Sequence, residues 1–238
     1  MTRRPDGPSA AGAVAAPSQS SGHRPVVRTV DPADALAFSD VVAEAARVLA
    51  GGGLVALPTD TVYGLACDPF RPGAAARVFA AKGRPRGVPL PVLVASVEQA
   101  DEVGGPFSAV TERLVARFWP GPLTVVVSRR PGVAADLGDE GGTIGLRLPD
   151  HVLVRALCAE AGPLATTSAN RHGQPPAVTA AEVVEAVGGH VPLVLDGGRC
   201  EGEPSTVVDL TGPRPRLVRP GRLPWDAIEA VVGDGPGD

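Results

Sequence analysis

The chain alternates short continuous apolar runs with longer stretches in which apolar residues recur three and four positions apart. The runs lie at residues 54–57, 90–95, 123–127, 143–148, 164–167, 193–195, 206–210 and 216–218, lengths that suit strands. Helical spacing occupies 74–82, 108–118, 151–161, 179–187 and 225–232. An earlier helix is predicted to open with Asp31 as its N-cap and Pro32 at its first position. Its stripe of Leu36, Val41, Val42, Ala45 and Leu49 stops at Gly51-Gly52-Gly53. Strands and helices take turns, which predicts an α/β fold with an open, twisted, mixed sheet covered by helices. Residues 26–232 read as one domain. Residues 1–25 are mostly Pro, Ser, Ala and Gly punctuated by Arg, too poor in apolar area to offset chain entropy, so a disordered tail is expected there, with a flexible end at 233–238.

Composition narrows the function classes. Of 238 residues 44% are hydrophobic, enough for a packed interior, while 30 Gly and 26 Pro imply many loops. The net charge is −4, and because residues 1–28 carry four Arg against one Asp, the remainder carries −7. A general polyanion-binding surface is therefore disfavoured. Cys67, Cys158 and Cys200 lie far apart with no C-x-x-C pair, which argues against a zinc site or a disulfide framework and points to a reducing cytoplasm. No apolar stretch approaches the ~18 residues of a membrane span, and no secretion-signal core precedes Leu36. Among 22 basic residues Lys82 is the single lysine; Asn170 and Tyr63 are likewise the chain's single asparagine and tyrosine. In a sequence so depleted of these types, the survivors mark places to inspect, and all three fall in polar loops.

No metal or nucleophile motif is evident. The 51–53 glycines lack the Lys-Ser/Thr of a phosphate loop and read as a helix stop. His23, His151, His172 and His190 read as surface residues, and acid–base catalysis by histidine is not expected. Four polar loops beside strands are better candidates, since α/β sheets place ligand crevices at strand ends. Residues 58–65 hold Thr59, Asp60 and Thr61, which could bind a small polar substrate or merely cap a turn. Lys82, Arg84 and Arg86 put three cations on one Gly/Pro-stiffened loop, suited to polyphosphate or to a solvated helix end. Thr143, Gly145 and Arg147 share one strand face, from which Arg147 could clamp a carboxylate. Thr166, Thr167, Ser168 and Asn170 close the set with neutral donors and acceptors, whereas Arg129 and Arg130 read as exposed charges. Together the loops suggest a site for a phosphorylated nucleotide plus a small carboxylate.

These motifs, over residues 30–224, resemble the YrdC family of L-threonylcarbamoyladenylate synthases, in its single-domain type. The family's K-x-R and S-x-N signatures stand as Lys82-Gly83-Arg84 and Ser168-Ala169-Asn170, and its P-T-[DE]-T-x-Y-G-L opening as residues 58–65. Residues 118–124, 143–149, 204–209 and Arg219-Pro220-Gly221 follow the pattern too. The resemblance implies an open α/β fold with a central cleft. It also implies a reaction joining L-threonine, bicarbonate and ATP into threonylcarbamoyl-AMP and pyrophosphate, with Mg²⁺ accompanying ATP. Separate tRNA threonylcarbamoyl-transfer proteins would consume the product. Thr61, Arg147 and Ser205 would contact threonine, with Thr166 close by. Lys82, Arg84, Thr143, Ser168, Asn170 and Arg219 would serve ATP, and no covalent enzyme intermediate is required. Val88, Leu93 and Pro176 depart from residues common in relatives.

Two other classes compete with the synthase. One is an RNA-binding module with weak tRNA affinity, because Arg214, Arg216, Arg219 and Arg222 cluster in sequence, although 3% aromatic residues offer few rings for base stacking. The other is a carbamoyl-transfer domain like those of hydrogenase maturation factors, whose zinc-finger and acylphosphatase regions have no counterpart here.

Overall fold

The computed structural model describes residues 24–139 and 141–233. The tail expectation falls almost wholly outside them, whereas Gly233 lies in the last helix. The strands are β1 (Val26–Thr29), β2 (Val55–Leu57), β3 (Gly64–Cys67), β4 (Val92–Leu93), β5 (Leu123–Ser128), β6 (Thr143–Arg147), β7 (Leu164–Ser168), β8 (Leu193–Asp196), β9 (Thr206–Asp209) and β10 (Arg216–Arg219). The helices are α1 (Ala35–Ala50), α2 (Ala74–Lys82), α3 (Val97–Gly104), α4 (Ala109–Phe118), α5 (Val152–Ala161), α6 (Ala180–Val187) and α7 (Trp225–Gly233). One mixed sheet runs β1-β8-β2-β3-β7-β4-β6-β5-β9-β10, so the α/β reading holds. No described helix is long and apolar enough to cross a membrane.

Helix starts follow local capping chemistry. Ser108 and Ser96 accept from backbone N–H groups three residues on, and Thr179 with Glu182 closes a capping box. At α1 the expected cap is displaced: Asp31 Oδ1 accepts from Ala33 N in a preceding turn, and Asp34, in extended backbone, accepts from Ala37 N. Leu36 is correspondingly left 81% exposed instead of joining the buried stripe. The run at 90–95 shrinks to Val92–Leu93, for Pro89 and Pro91 have no N–H to give a ladder.

Strand pairing decides what each face of the sheet carries. Residues directly paired point the same way, so Leu93, Arg147 and Leu164 share a face, as do Gly64 with Ser168 and Ala66 with Thr166. The opposite face, with Ala56, Leu65, Val92, Val125, Leu146 and Val194, packs in the larger core against α2, α3, α4, α6 and α7. On the first face only α1 and α5 form a core, against Val55, Leu57, Ala66, Leu93, Leu164, Leu193 and Leu195. Beyond them this face presents Thr124, Thr143, Gly145, Arg147, Thr166 and Ser168. Gly64 is needed here, because a Cβ would sit 2.7 Å from Thr166 Cγ2.

Candidate functional site

At one end of the open face, α2 stops at Gly83, whose left-handed backbone (φ 61°) returns its N–H to Phe79 O and Ala80 O. The stop leaves Lys82 buried, 4% exposed, with Nζ directed at the loop after β7. Nζ donates to Ser168 O, to Asn170 O at 2.6 Å and to Asn170 Oδ1 at 3.2 Å. Asn170 Nδ2 in turn donates to Arg171 O and Gln174 O at 2.8 and 2.6 Å. The single lysine and single asparagine are thus one hydrogen-bonded unit, in which Asn170 holds the lysine and the loop. Burial, then the neighbouring Arg84, lower the Lys82 pKa to about 8. Arg84 donates to Thr167 Oγ1 and Val88 O, whereas Arg86 turns away to Asp136 at 2.5 Å. The hydroxyls of Thr143 and Ser168 stand half-buried on the same face.

The other end is built on an ion pair. Arg147, with 7% of its side chain exposed, donates from Nη2 to Asp60 Oδ1 at 2.6 Å, from Nη1 to Thr61 Oγ1 at 2.9 Å and from Nε to Gly121 O at 3.0 Å. Three of the five guanidinium N–H groups are used, leaving two for a ligand. Thr59 Oγ1 organises the loop beneath, donating to Val62 O and accepting from Thr61 N and Val62 N. Tyr63 is a structural pin: it is fully buried and its hydroxyl donates to Gly198 O at 2.7 Å. Ser205 Oγ lies 2.9 Å from Thr124 Oγ1 and 3.0 Å from Arg219 Nη2. Thr166 is buried on the shared face but donates to Leu164 O, so its hydroxyl is already engaged.

Electrostatic coupling ties the two ends together. Desolvation lowers the Arg219 pKa from its ordinary value, and the charges of Arg147 and then Arg84 lower it further. This acidic protein therefore brings Lys82 and Arg84 to the end of β7 and keeps Arg147 and Arg219 at the ends of β6 and β10, where Asp60 is the carboxylate paired with Arg147. Such an arrangement attracts a polyanion and holds it in place.

Several residues act differently from their sequence reading. Arg129 is no exposed charge: its side chain is 13% exposed and donates to Ala135 O, Asp139 Oδ1 and Thr143 O, fixing the start of β6. Three of the four C-terminal arginines are engaged separately: Arg216 pairs with Asp209, Arg219 turns to Ser205, and Arg222 bonds Asp60 O and Glu201. Leu93 is a core residue and Val88 is exposed. Asp60, inside the quoted motif, was readable as the partner of a buried arginine only from three dimensions. Beside it a cavity of about 550 Å³ is lined by Asp60, Gly121, His151, Arg199 and Arg222 among others. Among the described residues no three His, Cys, Asp or Glu side chains converge as a metal-binding group.

The sequence profile of the Sua5/YciO/YrdC family, described as telomere recombination, matches residues 47–221 and so takes in both ends of this face. The chain belongs to that family. Within the family, a Mycobacterium tuberculosis protein is 40% identical over 209 residues, covering 87% of this chain and 96% of its own. The threonylcarbamoyl-AMP synthase of Bacillus subtilis is 38% identical over 208 residues, 86% of this chain and 60% of that one. Pyrococcus abyssi Sua5, solved in complex with L-threonine, superposes with a TM-score of 0.80 at 35% identity, covering 88% of this chain and 61% of its own. This chain thus spans about three-fifths of the length of those last two family members.

Proposed function

We propose that this protein is a threonylcarbamoyl-AMP synthase, joining L-threonine, bicarbonate and MgATP into threonylcarbamoyl-AMP and pyrophosphate for tRNA modification by separate transfer proteins. The observation that carries the reading is the division of one cationic face into a lysine-centred end and an Arg147–Asp60 end. Two anions have to be brought together for this reaction, a nucleotide triphosphate and an amino-acid carbamate.

Each residue then has a role its surroundings allow. Lys82, Arg84 and Arg219 neutralise the phosphates and the departing pyrophosphate, and Thr143 and Ser168 donate hydroxyl groups to the nucleotide. Asn170 acts as a positioning residue, with its amide committed to Lys82 and the loop. The two remaining N–H groups of Arg147 take the threonine carboxylate, while Thr61 orients that arginine and Ser205 faces the amino acid's hydroxyl. Thr166 shapes the floor between them. Magnesium would arrive with ATP and offset phosphate charge there; Asp60, the carboxylate at this site, is already engaged with Arg147.

The deciding assay is incubation with MgATP, L-threonine and labelled bicarbonate. Labelled adenylate that requires threonine is expected; ATP turnover without it, or none at all, overturns the reading. Salt-dependent tRNA binding without ATP would favour the RNA-binding alternative, against which the dispersed pairing of Arg216, Arg219 and Arg222 weighs.

A further inference from the structure

The loop that carries Arg84 does not stand alone; it leans on the connection between β5 and β6. Gly87 N donates to Gly138 O at 3.2 Å and Leu90 N to Leu137 O at 2.9 Å. The exposed Arg86–Asp136 bridge adds to the same contact. Within the loop, Arg84 Nη2 donates to Val88 O at 3.1 Å, so the direction of this guanidinium is set partly by residues that rest on 137 and 138. The connection also lies flush against α2. Leu137 is fully buried, and a Cβ at Gly138, whose φ is 91°, would come within 2.2 Å of the Phe79 ring.

Residues 135–138 belong to no helix or strand, so their position has to come from other bonds. Asp136 N donates to Pro69 O at 2.9 Å, which fixes one point. Arg129, just beyond the end of β5, fixes both ends of the stretch. Its Nη1 donates to Ala135 O at 3.1 Å, and its Nη2 donates to Asp139 Oδ1 at 3.3 Å and to Thr143 O at 3.1 Å. One guanidinium thereby joins residues 135 and 139 to the first residue of β6. The side chains of Arg129 and Asp139 are only 13% and 14% exposed, so these bonds form where water competes little.

On the synthase reading given above, we propose that Arg129 is a positioning residue for the nucleotide. It acts through two others: by holding residues 135–139 it sets the loop from which Arg84 meets the phosphates, and by holding Thr143 O it sets the residue whose hydroxyl is offered to the nucleotide. What counts is the fork, since two nitrogens of one rigid plane serve three acceptors on three residues. An ammonium in its place keeps the charge but cannot span them.

The influence is confined to one end of the site. Arg147 is held by Gly121 O, Thr61 Oγ1 and Asp60 Oδ1, none of which belongs to the β5–β6 connection. Loosening that connection should therefore be felt by ATP and not by threonine, a selectivity that a general loss of stability does not produce.

Three measurements on the full chain test this. In Arg129→Lys, which keeps the charge and spares the fold more than Arg129→Ala, calorimetric ATP affinity should fall about tenfold, while the threonine requirement for adenylate synthesis at saturating ATP stays within about twofold. Full ATP affinity, or an equal rise in both requirements, overturns the proposal. Asp139→Asn, which weakens one arm of the fork, should show the same ATP-selective loss at about threefold; a loss on the threonine side instead counts against it. Amide exchange at Gly87 and Leu90 should quicken in Arg129→Lys while the amides of β2 and β8 keep their rates, and unchanged exchange at Gly87 and Leu90 means that the connection does not hold the loop. Combining Arg129→Lys with Arg84→Ala should cost clearly less ATP affinity than the product of the separate losses, whereas a full product shows two independent residues and overturns the proposal. ATP affinity that responds to Arg129 in a protein that makes no adenylate would instead sink the synthase reading and leave the positioning role standing.

Discussion

The two ends of the cationic face neutralise their buried charges differently. Lys82 is satisfied by two carbonyls and an amide oxygen, all formally neutral, so its charge is undiminished and its pKa falls to about 8. Arg147 is matched by Asp60 at 2.6 Å, so its own charge is offset and directional hydrogen bonding dominates around it. A neutral-partner cation attracts an anion by field; an ion pair with two open N–H groups recognises shape. The contrast suits polyphosphate at one end and an amino acid at the other.

The comparison breaks most visibly if Asp60 is removed. Asp60→Ala strands a buried guanidinium, and breaking such pairs costs about 3–5 kcal/mol. A midpoint shift of that size in urea unfolding is expected. Lys82→Met removes a charge with no ionic partner, so its stability loss should be smaller, about 1–2 kcal/mol, while adenylate synthesis falls steeply. Equal destabilisation by the two variants would erase the distinction between the ends.

Arg147→Lys comes next. Lysine keeps the charge but cannot span Gly121 O, Thr61 Oγ1 and Asp60 Oδ1 together. From sequence alone this swap looks harmless to the fold; burial of the fork changes that, and a loss of about 1–2 kcal/mol is expected with a roughly tenfold higher threonine requirement. An unchanged threonine curve, measured by pyrophosphate release at saturating ATP, would remove Arg147 from the amino-acid end.

A gentler probe is pH. Since burial lowers the Lys82 pKa to about 8, the ammonium is present at pH 7 and is lost as pH rises through that value. Nucleotide affinity should therefore weaken several-fold between pH 7 and 9, and the wave should be absent in Lys82→Met. An affinity flat across the range would mean that another group supplies the field.

What the sequence made legible follows from what each residue type announces locally. Apolar period and caps located α2, α4, α5, α6 and α7 because Ser108 and Thr179 act through their own backbone neighbourhood. β1 escaped notice because Val26 and Val27 are a short exposed pair at the end of a polar stretch, and β3 because Gly64-Leu65-Ala66-Cys67 lacks any β-branched residue. α3 buries only Ala100, Val103 and Gly104, so its polar sequence showed no stripe. At the site, residue types and spacing picked out Lys82, Arg147 and Asn170 as worth inspecting. They could not reveal that Asn170 faces the lysine, that Asp60 locks Arg147, or that His151 is half-buried with its Nδ1 unpartnered, since each depends on contacts between distant segments.

The smallest expected effect separates two arginines of one loop. Arg84 and Arg86 are equivalent in sequence, both two residues from their neighbouring cation and both near the Phe79 ring, at 6.0 and 5.5 Å. Their partners differ: Arg84 reaches Thr167 beside the lysine-centred end, whereas Arg86 pairs with Asp136 across an exposed bridge whose side chains are 49% and 36% exposed. Exposed ion pairs contribute about 0–1 kcal/mol, so Arg86→Ala should leave the ATP requirement and unfolding midpoint nearly unchanged. Arg84→Ala should raise the ATP requirement about tenfold, the scale of one lost charge-assisted hydrogen bond to phosphate. If the two alanine variants behaved alike in an ATP titration at fixed threonine, the loop would be acting through its total charge, and the lysine-centred end would owe nothing to the direction in which each guanidinium points.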